Sequence, residues 1–317
     1  MHSTIDSQVK LPISEKRKKY LIIILGPTAV GKTSLSIQLA KHFNTSIVSA
    51  DSRQFYQEIS IGTAKPTVEE MDGVPHYLIN SISIHHEYNV GKYESDAMSI
   101  IQSLFKEKDL VILVGGSGLY IDAIAKGFDE LPEANPEVRE RIKAIHNESG
   151  IEGLQSLLKE LDSEYYSKVD LQNPQRMSRA LEVCLTTGKT YTYFRKGTIT
   201  NRAFEIIKIG VNTSREALYE RINLRVDEMM KQGLLEEVKQ VEPFKHLNSL
   251  QTVGYKELFD YLEGKIELTS AVDLIKQNTR RYAKRQLTWF RKDETITWFE
   301  PTEKEEIVKH INQKRTE

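Results

Sequence analysis

Residues 21–36 read LIIILGPTAVGKTSLS. The apolar run YLIIIL at 20–25 predicts a parallel strand covered on both faces. Behind it, GPTAVGKT at 26–33 has glycine at 26 and 31, then Lys32 and Thr33, the spacing of an eight-residue phosphate loop. A helix is expected over 32–43. Each residue type has a physical task. The glycines let backbone N–H groups turn inward around an anion, Lys32 adds a point charge, and the helix N-terminus adds its partial positive charge. The Thr33 hydroxyl stands where it can ligate Mg²⁺. Gly26, Pro27, Thr28, Ala29, Val30, Gly31, Lys32 and Thr33 are therefore the candidate phosphate-binding residues. The motif names a phosphorylated ligand but not which one.

Outward from the loop, TSIVSAD at 45–51 reads as a short strand ending in Asp51, and VGKYESDAMSIIQSLFKEK at 90–108 as a helix with apolar steps of three and four. DLVILVGGSGLYIDAIAKG at 109–127 repeats strand, glycine-rich turn and helix. This alternation predicts an α/β fold, a P-loop NTPase-like doubly wound parallel sheet with right-handed crossovers. The pattern changes after 127. LPEANPEVRERIKAIHNE, IEGLQSLLKELDSE and NPQRMSRALEVCLTTGK read as three helices with no strand between them, Asn173 and Pro174 opening the third and Gly188 ending it. The expected organisation is a loose basic tail over 1–18, a core domain from 19–127 and 201–317, and a mainly helical insert domain over 128–200. Strands at 203–212 and in ETITWF, helices at 214–233 and 269–292, and a last helix complete the core.

A length of 317 residues suits about two domains. The net charge of −1 means that nucleic-acid binding would need local patches. No apolar run approaches the ~18 residues of a membrane helix, and the first 20 residues hold no apolar leader, so a cytoplasmic protein without membrane contact is expected. Cys184 is the only cysteine, which excludes an intrachain disulfide and a cysteine-based zinc site.

A nucleotide hydrolase also needs a carboxylate after an apolar strand. VILVGG ends in glycine and IIKIGVN in Asn212; only SIVSAD ends in an acid. Asp51 thus reads as a magnesium carboxylate, a general base or a turn cap. KQNTRRYAKRQLTWFRK at 276–292 carries seven Lys/Arg, no acid, and Tyr282, Trp289 and Phe290 among them. Such a helix suits phosphate contact and base stacking, or a solvated basic face over a core stripe. Gln175, Arg176 and Arg179 lie early in the helix of NPQRMSRALEV, where arginine opposes the helix dipole. Arg221 and Arg225, one turn apart, could clamp a diphosphate or pair with Glu228.

In these segments the chain resembles tRNA dimethylallyltransferases of bacterial type. The resemblance rests on GPTAVGKT, SADSRQFY, IGTAKP, LVGGSGLY, PEVRERI, NPQRMSRALEV, TVGYKEL and AKRQLTWFR, in that order, from about 20 to 300. It implies that the loop holds the diphosphate of dimethylallyl diphosphate, with Mg²⁺ on Thr33, and that the prenyl group goes to N6 of adenosine 37, next to the anticodon. It assigns Asp51 as general base, Ser117 as a hydroxyl near the reacting centre and Arg225 as the diphosphate arginine. It maps contacts with the anticodon stem-loop onto Asp51, Ser52, Arg53, Gln54, Ser117 and Arg139. Further contacts fall on Gln175, Arg176, Met177, Ser178 and Arg179. Others fall on Gln251, Thr252, Val253, Gly254, Tyr255 and Lys256, and on Lys284, Arg285, Gln286, Leu287, Thr288, Trp289, Phe290 and Arg291. Nothing in it asks for more than a monomer. The Cys/His zinc module of eukaryotic relatives is not expected here.

Three other readings compete. A P-loop small-molecule kinase would put ATP in the loop and use Asp51 as base. A prenyltransferase acting on free AMP would leave the insert and the basic segment unused. A nucleotide-dependent RNA-binding switch would want a base-specificity motif such as Asn-Lys-x-Asp, which the sequence lacks.

Overall fold

Six strands, β1 (Tyr20–Leu25), β2 (Ile47–Ser49), β3 (His76–Tyr77), β4 (Leu110–Gly115), β5 (Glu205–Val211) and β6 (Thr297–Phe299), form one sheet in the order β3-β2-β4-β1-β5-β6. Every pairing is parallel. All six residues of β1 are buried, as a central strand between helical layers requires. The computed structural model describes residues 18–129, 131–133, 135–197 and 200–317. The tail expected over 1–18 lies outside them, apart from Lys18.

The register levels the strand ends. Leu25 of β1 lies beside Gly115 of β4 and Gly210 of β5. β1 leads on to β2, beyond β4, whereas β4 leads back to β5 on the other side of β1. Connections diverge there, and the crevice outside the carboxyl ends of β1 and β4 is where an open α/β sheet takes a ligand.

The helices are α1 (Lys32–His42), α2 (Val68–Met71), α3 (Val90–Leu104), α4 (Gly118–Lys126), α5 (Pro136–Leu161), α6 (Ser163–Tyr166), α7 (Pro174–Thr187), α8 (Tyr191–Phe194), α9 (Arg215–Lys231), α10 (Leu234–Val241), α11 (Tyr255–Leu262), α12 (Leu268–Phe290) and α13 (Lys304–Thr316). The chain divides into two compact units. One contains the sheet and comprises the residues up to Glu87, Asp96–Ile121 and Arg202–Glu317. Its core joins Ile22, Ile24, Leu35, Leu39, Ile112, Ile209, Ile222 and Ile307. The second, Tyr88–Ser95 with Asp122–Asn201, is helical and packs Ile142, Leu154, Leu158, Met177 and Leu181 inside.

The two helices expected at the start of the insert are both present, run together within α5 and separated by a kink at Gly150, whose backbone is not helical (φ 64°, ψ −159°). Glycine reaches that conformation without a Cβ penalty, so the chain turns for one residue and the hydrogen-bonded spiral resumes. β3 has only two residues, too few for any periodicity to announce it.

Candidate active site

The phosphate loop is shaped by close approach. A Cβ at Gly26 (φ 151°) would stand 2.2 Å from the Val211 carbonyl oxygen, so the end of β5 leaves room there for glycine alone. Gly31 at the start of α1 forms no side-chain cap. The amides of the first turn therefore face outward uncapped, as an anion site requires. Lys32 folds back, its Nζ donating to the Pro27 carbonyl at 2.6 Å. Arg221 Nη1 donates to the Val30 carbonyl at 3.0 Å. Both cations are held by backbone dipoles. Burial, reinforced by the neighbouring Arg225 charge and opposed by Asp51, lowers the Lys32 pKa to about 7. Burial likewise lowers Arg225, with Asp51 and Glu70 opposing. The pairing of these arginines with Glu228 does not form among the described residues; Glu228 lies 3.9 Å from Lys231 instead. The site thus gathers positive charge on the half-buried side chains of Lys32 and Arg225, and an incoming anion would relieve it.

Asp51 comes next to this loop because β2 and β4 pinch together at their ends. A Cβ on Gly115 would lie 2.2 Å from the Ala50 carbonyl oxygen. Past the pinch, the Ser52 amide donates to Ser117 Oγ at 3.0 Å. Asp51 Oδ1 accepts from the amides of Arg53 (2.9 Å) and Gln54 (3.3 Å), closing a turn. Its Oδ2 accepts no hydrogen bond among the described residues. The turn-cap reading therefore holds for one oxygen and leaves the other for chemistry. The Asp51 charge is felt by Lys32, Arg225, Tyr120 and Tyr282. Burial pushes both tyrosines up to about 12, so each keeps its proton. Two protonated phenols and two cations thus lie within electrostatic reach of a carboxylate that keeps one oxygen free, with the Ser117 hydroxyl on the next amide along the chain.

The residues after Asp51 are more committed. Gln54 Nε2 donates to the carbonyls of Thr63 (3.3 Å) and Ala64 (3.2 Å), and its Oε1 accepts from the Ser49 hydroxyl at 3.2 Å. Its side-chain amide is thus engaged within the protein. Arg53 donates to the carbonyls of Ser52 (3.1 Å) and Asn248 (3.3 Å) while remaining half-buried.

The segments expected to meet RNA split by face. On α12, Lys284, Arg285, Thr288, Trp289 and Arg291 are exposed, whereas Gln286 and Phe290 are buried and Leu287 packs on the core. Lys276 pairs with Asp227 at 2.6 Å and Arg280 donates to Asn223 at 2.6 Å, so these two cations fasten α12 to α9. In the helical unit, Gln175 and Arg176 are exposed, Ser178 is half-buried and Met177 is in the core. Arg139 Nε and Arg179 Nη1 each donate to the carboxylate of buried Glu182 at 2.7 Å. In the 251–256 segment, Gln251 and Lys256 are exposed, Thr252 and Val253 half-buried, and the Gly254 amide caps α11 on Glu257 at 2.8 Å. Tyr255 is fully buried, its hydroxyl donating to Glu237 at 2.6 Å. Met177, Tyr255, Gln286 and Phe290 were all expected at RNA. Their side chains are buried, as helical periodicity turns one residue in three or four inward.

Sequence reasoning missed Glu237. Only 9% exposed, it accepts from the amides of Ser60 (2.7 Å), Ile61 (2.8 Å) and Gly62 (3.0 Å) as well as from Tyr255. It anchors the loop whose carbonyls hold Gln54. No motif marks it, since the amides it holds lie 175 or more positions away.

The family model described as IPP transferase matches residues 54–293. The chain belongs to the tRNA dimethylallyltransferase (IPP transferase) family. A tRNA dimethylallyltransferase of Flavobacterium johnsoniae is 52% identical over 300 residues, covering 92% of this chain and 97% of that one. The tRNA dimethylallyltransferase 1 of Bacteroides thetaiotaomicron is 51% identical over 291 residues, covering 92% and 94%. Among solved structures, the tRNA isopentenylpyrophosphate transferase of Bacillus halodurans superposes with a TM-score of 0.70 at 38% identity, covering 94% of this chain and 97% of that one. A eukaryotic dimethylallyltransferase captured acting on tRNA gives 0.75 at 28% identity, over 90% and 74%. The phosphate loop and Asp51 precede the stretch matched by the family model. No helix among the described residues is long and apolar enough to cross a membrane.

Proposed function

We propose that this protein transfers the dimethylallyl group of dimethylallyl diphosphate to N6 of the adenosine next to the anticodon of tRNA, releasing diphosphate. The observation that carries this reading is the neighbourhood of Asp51: a carboxylate with one uncommitted oxygen lies within electrostatic reach of the phosphate-loop lysine and of Arg225. A proton acceptor and a diphosphate receptor so close suit a substitution in which one group leaves as an anion while the other loses a proton.

The diphosphate binds against the loop amides, with Lys32 exchanging the Pro27 carbonyl for a phosphate oxygen. As the allylic C–O bond breaks, charge grows on the departing oxygens, and Lys32, Arg225 and the loop amides stabilise it where it develops. The N6 amine attacks the allylic carbon. Its proton passes to Asp51 Oδ2 as the C–N bond forms. Ser117, already holding the Ser52 amide, orients the turn that carries Asp51. Mg²⁺ fits this site through oxygen donors alone: the exposed Thr33 hydroxyl, the diphosphate oxygens and water would complete its shell, and the ion would add countercharge for the leaving group. The adenosine must leave its stack to reach Asp51, which costs least in a single-stranded loop. Arg176, Lys284, Arg285 and Arg291 are exposed and form no ion pair among the described residues, so they suit RNA phosphates. The protein works as a monomer in the cytoplasm.

The test is a transfer assay with Mg²⁺, isotopically labelled dimethylallyl diphosphate and unmodified tRNA, run beside ATP turnover. Label on adenosine N6 with no ATP consumed is the expected result. ATP hydrolysis or phosphate transfer without label would return the loop to a nucleotide and overturn the proposal.

A further inference from the structure

Gln286 is the one buried amide side chain on the basic helix α12, 6% exposed amid exposed cations. Its two ends are used on different parts of the site. Oε1 accepts from the Thr28 amide of the phosphate loop at 2.9 Å, and Nε2 donates to the Gly116 carbonyl, beside Ser117, at 2.8 Å. The fit is tight: a Cβ on Gly116 would come 2.3 Å from Gln286 Nε2. Tyr282 and Trp289 share its stripe at four- and three-residue steps. The Trp289 ring lies 2.4 Å from where a Gly118 Cβ would stand. One stripe of α12 thus meets the Gly116–Gly118 turn at two points and the phosphate loop at one, while the neighbouring stripe presents Lys284, Arg285 and Arg291.

We propose that Gln286 is a positioning residue that fixes the phosphate loop against the Ser117 turn and, through α12, links RNA occupancy to diphosphate affinity. The argument rests on the tRNA reading above only for its second half. With Thr28 committed to Gln286, the anion is left to the amides from Ala29 onward and to Lys32, so the glutamine sets which donors the diphosphate meets. It also makes the loop and Ser117 one body with a helix whose outer face is built for polyanions. Anything that shifts α12 shifts both. Such a coupling is reciprocal: RNA tightens diphosphate by the factor by which diphosphate tightens RNA.

The experiment titrates inorganic pyrophosphate calorimetrically into the full chain, with and without an anticodon stem-loop RNA, for wild type, Gln286→Leu and Gln286→Glu. Gln286→Leu is expected to weaken pyrophosphate alone by roughly tenfold or more, since both partner groups lose a buried hydrogen bond, and to bring the linkage factor to one. Gln286→Glu separates positioning from mere packing. Protonated, the acid reproduces both bonds; ionised, it still accepts from Thr28 but repels the Gly116 carbonyl. Its pyrophosphate affinity is therefore expected to approach wild type at low pH and fall as pH rises, with a profile that wild type lacks. Wild-type affinity in Gln286→Leu, or a Gln286→Glu profile parallel to wild type, would overturn the positioning role. A wild-type protein that binds both ligands without linkage would overturn the coupling. Pyrophosphate binding without RNA reports on Gln286 whatever the acceptor is, so failure of the tRNA reading, seen as no RNA binding, is distinguishable from failure of this one.

Discussion

The phosphate loop and the arginine pair of the helical unit both collect cations, and they satisfy them in opposite ways. Lys32 and Arg221 lean on backbone carbonyls, which accept hydrogen bonds without cancelling charge. Arg139 and Arg179 share the carboxylate of Glu182, whose side chain is only 4% exposed. The first region keeps a deficit of negative charge that a ligand can fill. The second is closer to electrically settled before any ligand arrives, so its arginines are better suited to holding a shape than to supplying affinity. Lys/Arg content, which is how both regions first attract notice, does not distinguish them. The partner of each cation does.

If this contrast is right, substitutions at the sheet edge reach the chemistry and substitutions around Glu182 do not. The largest effect is expected from Asp51→Asn. The amide oxygen still accepts from Arg53 and Gln54, so the turn survives while the proton acceptor is lost. Single-turnover transfer should fall by about 10²–10⁴-fold with RNA binding retained; loss of RNA binding at a preserved saturating rate would make Asp51 a recognition residue instead. Next comes Lys32→Ala, which removes a cation facing the leaving group. It should lower kcat/KM for dimethylallyl diphosphate by roughly 10²–10³-fold, and an unchanged value would take the loop out of catalysis. The smallest effect on activity is expected from Glu182→Gln. Unfolding should show a loss of about 1–3 kcal/mol, since a buried charged acceptor is weakened, while filter-binding affinity for tRNA changes only several-fold. A hundredfold loss of tRNA affinity at unchanged stability would break the contrast and put the Glu182 cluster on a par with the loop.

How far the sequence could be read follows from where each piece of information is stored. The phosphate loop was legible because its signal is local: glycine spacing, a lysine and flanking elements, all within 16 residues. Asp51 was legible because it ends a strand in a chain that alternates strand and helix. The inward residues of α12 were not. KQNTRRYAKRQLTWFRK shows charge, but which stripe meets the glycine turn depends on packing against β4 and β1, and Gln286 looks there like one more polar residue. Tyr255 and Met177 sit inside recognisable RNA-associated motifs yet face inward, because a motif can be kept for the core beneath a surface as well as for the surface. Glu237 had no signal, since its loop lies more than 170 residues away in the chain.

The pinch between Gly115 and Ala50 makes the spacing of the β2 and β4 ends a matter of one absent methyl group. Alanine at 115 would have to force the ends of β2 and β4 apart by more than an ångström to reach ordinary contact, carrying Asp51 away from Ser117. A misplacement of about 1 Å can cost on the order of a hundredfold in rate. Such a variant would keep every group that binds and every group that reacts. It would be an intact set of tools mounted on a bench of the wrong size.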